Sequence, residues 1–259
     1  VNDDQQLRHS RHLLLDEWSE ATQQRLLTAH AVVIGAGGLG APALMYLAAA
    51  GVGRITVVDP DTVELSNLQR QIAHTTGSIG QRKVDSAART LERLNPDVQV
   101  RAVARAADEA WLSAHLPDAD VVLDCTDGFA IRQLINRQAW AAGVPLVSAS
   151  ALRWDGQLSV FDPRDPLSPC YACLFPPDAP PEETRCALMG VFAPVVGALG
   201  VMQAGEAIKL LAGVTGPGHR SLVGQLLMLD GRDLSWTRLR VPKQAACSVC
   251  SVVSAHKQG

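Results

Sequence analysis

No charge of either sign dominates this chain. Its 259 residues carry 23 lysines and arginines against 26 aspartates and glutamates, a net charge of −3. A general electrostatic drive toward nucleic acid or an anionic membrane is missing, so neither is expected as a partner. The chain also lacks a long apolar run. The longest, about Val191 to Met202, is too short to span a bilayer and gives way to Gln203, Glu206 and Lys209. The first residues, Val1-Asn2-Asp3-Asp4-Gln5-Gln6, are polar and acidic, with no basic or apolar leader segment. There is no internal repeat, no low-complexity tract and no histidine-rich catalytic cluster. These absences predict a soluble cytoplasmic protein. A hydrophobic content of 47% suffices to bury one large core, or one domain with an appendage.

What is present begins with two Cys-x-x-Cys pairs far apart in the chain, Cys170/Cys173 and Cys247/Cys250. Each spacing lets two thiolates converge on one ion, and two such knuckles complete a tetrahedral zinc site. Two disulfides or a redox pair are the alternatives. Neither pair follows a strand and opens a helix as a thioredoxin-type motif should, and nothing marks the chain as secreted. Cys125 and Cys186 stand outside the pairs. Cys125, at the end of an apolar strand, is expected to be buried and inert.

Along the chain, residues 3–29 read as two short polar helices. Strands are expected at Ala31–Ile34, Arg54–Val58, Val98–Val103, Val121–Leu123 and Leu146–Ala149. Helices are expected over Ala41–Ala50, over Gln81–Leu94 and up to about Ala142. Strands alternating with helices predict a parallel sheet covered on both faces. The pattern changes after Arg153. A strand of different character, Gln157–Phe161, leads into a proline-rich segment, Asp162–Arg185, which can be neither helix nor central strand. That segment reads as a long crossover loop and holds the first cysteine pair. A helix over Val195–Leu211 and strands near Leu226–Leu229 and Trp236–Val241 close the order.

The turn Gly35-Ala36-Gly37-Gly38-Leu39-Gly40 follows a strand and precedes a helix. Its glycines let backbone N–H groups approach phosphate at a helix N-terminus. Asp59 ends the next strand, where an acid can bind ribose hydroxyls. On these features alone the chain reads as an NAD-binding Rossmann fold. The segment Asp59 to Gln71 adds polar groups past a strand's C-terminal end, where ligands bind in such sheets. Arg70 and Lys83 are cations suited to phosphate, and Asp127 is an acid suited to magnesium. A dinucleotide needs none of these three, whereas a nucleoside triphosphate uses them all. Either cation alone could be a solvated surface charge.

These residues resemble the MoeB/ThiF family, bacterial relatives of the ubiquitin-activating E1 enzymes. The likeness runs through Arg8-His9-Ser10-Arg11-His12, the glycine turn, Ser66-Asn67-Leu68-Gln69-Arg70-Gln71, Lys83, Leu123-Asp124-Cys125-Thr126-Asp127 and both cysteine pairs. It implies one E1-like adenylation domain over residues 1–259. N-terminal helices would occupy 1–29, a nucleotide-binding half 30–150 and a carrier-binding half with the zinc site 151–259. The implied fold is α/β, a Rossmann-like and mostly parallel sheet with helices on both faces and antiparallel C-terminal strands. The implied activity is ATP-dependent adenylation of the C-terminal glycine of a ubiquitin-fold sulfur carrier by a homodimer. The carrier would be of MoaD type, for molybdopterin synthesis, or of ThiS type, for thiamin thiazole synthesis. Met189-Gly190-Val191-Phe192-Ala193-Pro194 leans toward the former.

By the same resemblance, Asp59 holds the ribose and Gly38 the nucleotide backbone, while Asn67, Arg70 and Lys83 contact the triphosphate. Ser66, Leu68 and Gln69 complete that lining, and Asp127 holds magnesium. Arg11 matches an arginine inserted into the partner subunit's site, and Cys186 matches the E1-type cysteine, with a packing residue as the alternative reading. Gly128 departs from the pattern, standing where the family has asparagine. The chain has no rhodanese-like domain, so sulfur is expected from a separate donor protein. The rivals are an NAD-dependent oxidoreductase, against which the lack of a catalytic set of His, Lys or Arg after the Rossmann half speaks, and a non-catalytic scaffold, against which Arg70, Lys83 and Asp127 speak.

Overall fold

A computed structural model of the chain describes residues 1–179, 189–214 and 221–251. Helices α1 (Asp3–Arg8), α2 (Ser10–Leu13) and α3 (Glu20–Thr28) precede the sheet. There are three where the polar pattern suggested two, because His9 breaks the first run and ends α1. Strands β1 (His30–Ile34), β2 (Arg54–Val58), β3 (Gln99–Val103), β4 (Val121–Asp124) and β5 (Leu146–Leu152) are joined through helices. These are α4 (Gly40–Ala50), α5 (Lys83–Leu94), α6 (Glu109–His115) and α7 (Phe129–Ala142). Strand β6 (Asp155–Phe161), the single turn α8 (Tyr171–Leu174), the long helix α9 (Ala193–Ala212) and strands β7 (Gln225–Asp230) and β8 (Ser235–Arg240) follow.

The eight strands form one sheet in the order β3-β2-β1-β4-β5-β6-β7-β8. The pairs from β3 to β5 are parallel and those from β5 to β8 antiparallel. The order reverses between β1 and β4, which makes the crevice at their C-terminal ends the expected ligand position. Alternation along each strand divides the core between the two faces. Ala31, Val33, Ile55, Val57 and Leu123 face one cluster with α4, α5 and α9. Val32, Ile34, Val58 and Val122 face the other with α6 and α7.

Helix α6 has no counterpart in the sequence reading. It is only seven residues long, and its one clear signal is Asp108, whose side chain accepts the Trp111 N–H at 2.8 Å as an N-cap. The apolar stretch read as ending at Met202 belongs to a helix that runs on to Ala212, long and apolar enough to cross a bilayer by length and composition. Here it packs against the sheet and α4, and its Gln203 and Glu206 are buried among protein partners. Gly200 permits that packing, since a Cβ there would stand 2.3 Å from the Leu39 carbonyl oxygen.

Candidate nucleotide site and cysteine cluster

The glycine turn leaves β1 with Gly35, whose N–H reaches the Val58 carbonyl at 2.8 Å. Gly35 has φ +102° and would carry a Cβ 2.7 Å from the Cys125 carbonyl oxygen, so only glycine fits. Asp59, 6% exposed, closes the turn from β2. One of its carboxylate oxygens accepts the Ala36 N–H at 2.8 Å and the other the Asp61 N–H at 2.9 Å. Each oxygen keeps acceptor capacity for a further partner. The acid read as a ribose ligand therefore also shapes the turn.

The segment after β2 folds back over the turn. Lys83 opens α5, two residues later than the pattern suggested, and its Nζ meets Asp61 Oδ2 at 2.8 Å. The lysine side chain is 8% exposed and the aspartate 61%, so Lys83 is not a solvated surface charge. Arg70 is half-buried and donates to the Ser66 carbonyl at 3.1 Å. Its stem lies against Gly38, where a Cβ would stand 3.4 Å from Arg70 Cγ and 2.7 Å from Val196 Cγ1. Asn67 accepts the Glu64 N–H at 3.2 Å, Leu68 is half-buried, and Ser66 and Gln69 are exposed. Gln71 is buried, and its Oε1 has no partner among the described residues.

Asp127 and Gly128 stand at the other wall, past β4. Asp127 is exposed, and Gly128 is the N-cap of α7 with no side-chain cap bond. Asparagine at an N-cap exceeds glycine by only a few tenths of a kcal/mol, so the departure from the family pattern costs the helix little. Beneath this wall lies a buried polar network. Asp124 accepts from Thr126 N–H (3.0 Å), Thr126 Oγ1 (2.7 Å) and Ser148 Oγ (3.2 Å). Arg132 stands 3.7 Å from Asp124 and donates to the carbonyls of Ala149, at 2.8 Å, and Thr126. Gln203 donates to the Asp124 and Val147 carbonyls at 2.9 and 3.2 Å. Cys125 is buried as expected, donates to Gln203 Oε1 at 3.5 Å, and has its pKa pushed up by burial. Sequence reasoning missed the network; a lone glutamine inside an apolar helix was its visible signal.

Arg11 lies elsewhere. It is exposed on α2, two residues after buried His9, which fills the space beside Gly51 at the C-terminal end of α4. Arg8 likewise donates to the Leu94 carbonyl at the C-terminal end of α5. The glycine turn and Lys83 mark the opposite ends of these helices, about 16 Å away along α4. Cys186 falls outside the described residues.

The two cysteine pairs converge. All four Sγ atoms lie within 4.8 Å of one another and all four residues are buried. Sγ separations of 4.0 Å (Cys170–Cys173), 3.6 Å (Cys170–Cys247) and 3.4 Å (Cys173–Cys250) bracket the roughly 3.8 Å of a tetrahedron with Zn–S bonds near 2.3 Å. Cys173 is held well below the ordinary thiol value, first by the hydrogen bond from Cys170. The Gln244 N–H also reaches its sulfur at 3.4 Å. Four such donors fit zinc and leave it no open position. Cys170 opens a helical turn, α8, inside the proline-rich segment expected to hold no helix. No strand leads into it, however, and the partner pair lies against it. Trp140 packs on the cluster, about 18 Å along α7 from Gly128.

The crevice where strand order reverses thus carries a glycine turn, two cations and an acid, and the molecule is of the Rossmann-like nucleotide-binding class. Residues 9–249 match the ThiF family, and the chain belongs to it. The Escherichia coli sulfur carrier protein ThiS adenylyltransferase is 44% identical over 250 residues, covering 96% of this chain and 97% of the relative. The molybdopterin-synthase adenylyltransferase of Escherichia coli is 40% identical over 253 residues, covering 96% and 98%. The crystal structure of Escherichia coli MccB with ATP superimposes with a TM-score of 0.80 over 94% of this chain and 73% of that one. At 23% identity that likeness shows the fold alone.

Proposed function

We propose that this protein is an adenylyltransferase that uses ATP to activate the C-terminal glycine of a ubiquitin-fold sulfur carrier, of MoaD or ThiS type. The observation that carries the reading is the match to two relatives named as adenylyltransferases, at 44% and 40% identity over nearly the whole of both chains, in a chain that holds Arg70 against Gly38 and Lys83 on Asp61.

The chemistry asks little covalent work of the protein. An ionised carboxylate attacks the α-phosphate in line and pyrophosphate leaves, so no general base is required. The protein positions the reactants and neutralises charge growing on phosphate oxygens. Free N–H groups of the glycine turn receive phosphate at the start of α4. Asp59 retains acceptor capacity for the ribose, with Gly38, Ser66, Asn67, Leu68 and Gln69 lining the nucleotide and Gly128 at its edge. Arg70 and Lys83 supply positive charge. Asp127 is an exposed hard-oxygen ligand at the right edge of the crevice, and magnesium is commonly held by one or two carboxylates together with substrate phosphates. Cys186 is the candidate thiol for later sulfur transfer from a separate donor protein. Zinc at the four cysteines is structural.

The segment Met189 to Pro194 favours the MoaD-type carrier, and the higher identity to the ThiS adenylyltransferase favours the other. ATP–pyrophosphate exchange in the presence of each carrier tests both the activity and the choice. Exchange that depends on one carrier is the expected outcome. Absence of exchange with either, by protein that is folded and metal-replete, would overturn the reading.

A further inference from the structure

Ala36 is held from both sides by buried side chains of the segment that follows β2. Its N–H goes to Asp59 Oδ2 at 2.8 Å, and its carbonyl faces His74 Nε2 at 3.0 Å. His74 is 6% exposed, and its Nδ1 lies 3.0 Å from Ser86 Oγ on α5, one turn beyond Lys83. A carbonyl can only accept, so Nε2 carries the proton. Burial lowers the His74 pKa, which favours the neutral ring with Nδ1 accepting from Ser86.

The consequence lies on the far side of the peptide. Across a trans peptide the C=O and the following N–H point in opposite directions. Fixing the Ala36 carbonyl on His74 therefore aims the Gly37 N–H away from His74. In a regular helix start the same carbonyl would also take the Gly40 N–H, four residues on. Here the first helical bond is instead Ala41 N–H to the Gly37 carbonyl at 2.8 Å. The N–H groups of Gly37, Gly38, Leu39 and Gly40 have no partner among the described residues. A second observation points to a ligand at the same place: the side chain of Gln71, 4% exposed, has no hydrogen-bond partner among the described residues, and its Nε2, a donor suited to phosphate, lies 3.6 Å from where a Cβ on Gly37 would stand.

We infer that His74 is a positioning residue for the nucleotide, which by claiming the Ala36 carbonyl keeps the glycine turn's N–H groups aimed and unpaired for phosphate. The inference rests on the ATP-site reading above. His74 also closes a ring of contacts around the crevice, from the turn through Ser86 and α5 to Lys83, Asp61, Asp59 and back to Ala36.

Two substitutions separate this role from packing. Glutamine reaches the Nε2 position and keeps the donor to Ala36, whereas asparagine reaches only the Nδ1 position and keeps Ser86. Each loses one hydrogen bond, so both should lower Tm alike. ATP affinity of the full-length protein is measured by calorimetric titration without a carrier. The Kd should rise about tenfold in His74→Asn and less than about threefold in His74→Gln, the scale of one buried hydrogen bond. Equal effects in the two variants, or a Kd that merely tracks Tm, would overturn the inference and leave the ATP reading standing. A wild-type protein that binds no ATP would overturn both.

Discussion

Lys83 carries its charge where water scarcely reaches it, yet its partner Asp61 is 61% exposed. Removing the lysine leaves the aspartate solvated, so the fold should tolerate the change while the site loses a fixed positive charge. Lys83→Ala and Asp127→Ala should each slow ATP–pyrophosphate exchange on the order of 10²–10³-fold, the scale for one preorganised group. Near-normal exchange in either variant removes that residue from the site. Arg132 presents the reverse case. It is buried beside Asp124, which has no exposed surface at all. Arg132→Met would strand a buried carboxylate and should lower stability by about 3–5 kcal/mol, read from the urea midpoint. A loss under about 1 kcal/mol would mean that Thr126 and Ser148 satisfy Asp124 unaided.

At the scale of elements, α7 separates two sites that the chain order mixes. Its N-terminal end borders the nucleotide crevice, and Trp140 near its other end packs on the cysteines. Zinc binding should therefore stabilise the protein without entering the reaction. Cys173→Ser should release the roughly one zinc per chain held under reducing conditions and lower Tm, because structural zinc contributes folding free energy directly. ATP affinity should fall far less than in the Lys83 variant. Chelator-free protein with no zinc would defeat the assignment. Helices α4 and α5 both begin at the crevice and end beside α1 and α2, so each N-terminal arginine sits at the wrong end to serve its own turn.

For the whole molecule that separation has a direct test. About 16 Å of α4 lies between the glycine turn and the residues next to Arg11, beyond an arginine's reach. A twofold dimer would bring a partner's Arg11 to the crevice and create two composite sites. Arg11→Ala and Arg70→Ala should each be inactive alone. Mixed, they should recover at most about a quarter of wild-type exchange, since half the dimers are hybrid and each hybrid holds one intact site. A mixture that stays dead while hybrids are shown to form would return Arg11 to its own subunit or remove it from the reaction.

Much of this was already legible in the order of residues. The β-rich run Ala31 to Ile34, the glycines around Ala36 and the paired cysteines are local patterns, enforced by neighbouring sterics and by the reach of short side chains. They announce a parallel sheet, a phosphate-ready turn and a four-thiol site. The tertiary structure alone decided which distant groups meet. That Lys83 turns inward to Asp61, that His74 takes the Ala36 carbonyl and that Gln203 of α9 bonds beneath Asp124 depend on strand order and helix packing. No spacing along the chain encodes them. Arg11 shows the same limit, since its motif named a candidate but only the direction of α4 put it far from its own turn. Local pattern is set by bonds between near neighbours, whereas a site is set by where the sheet's reversal brings remote strand ends together.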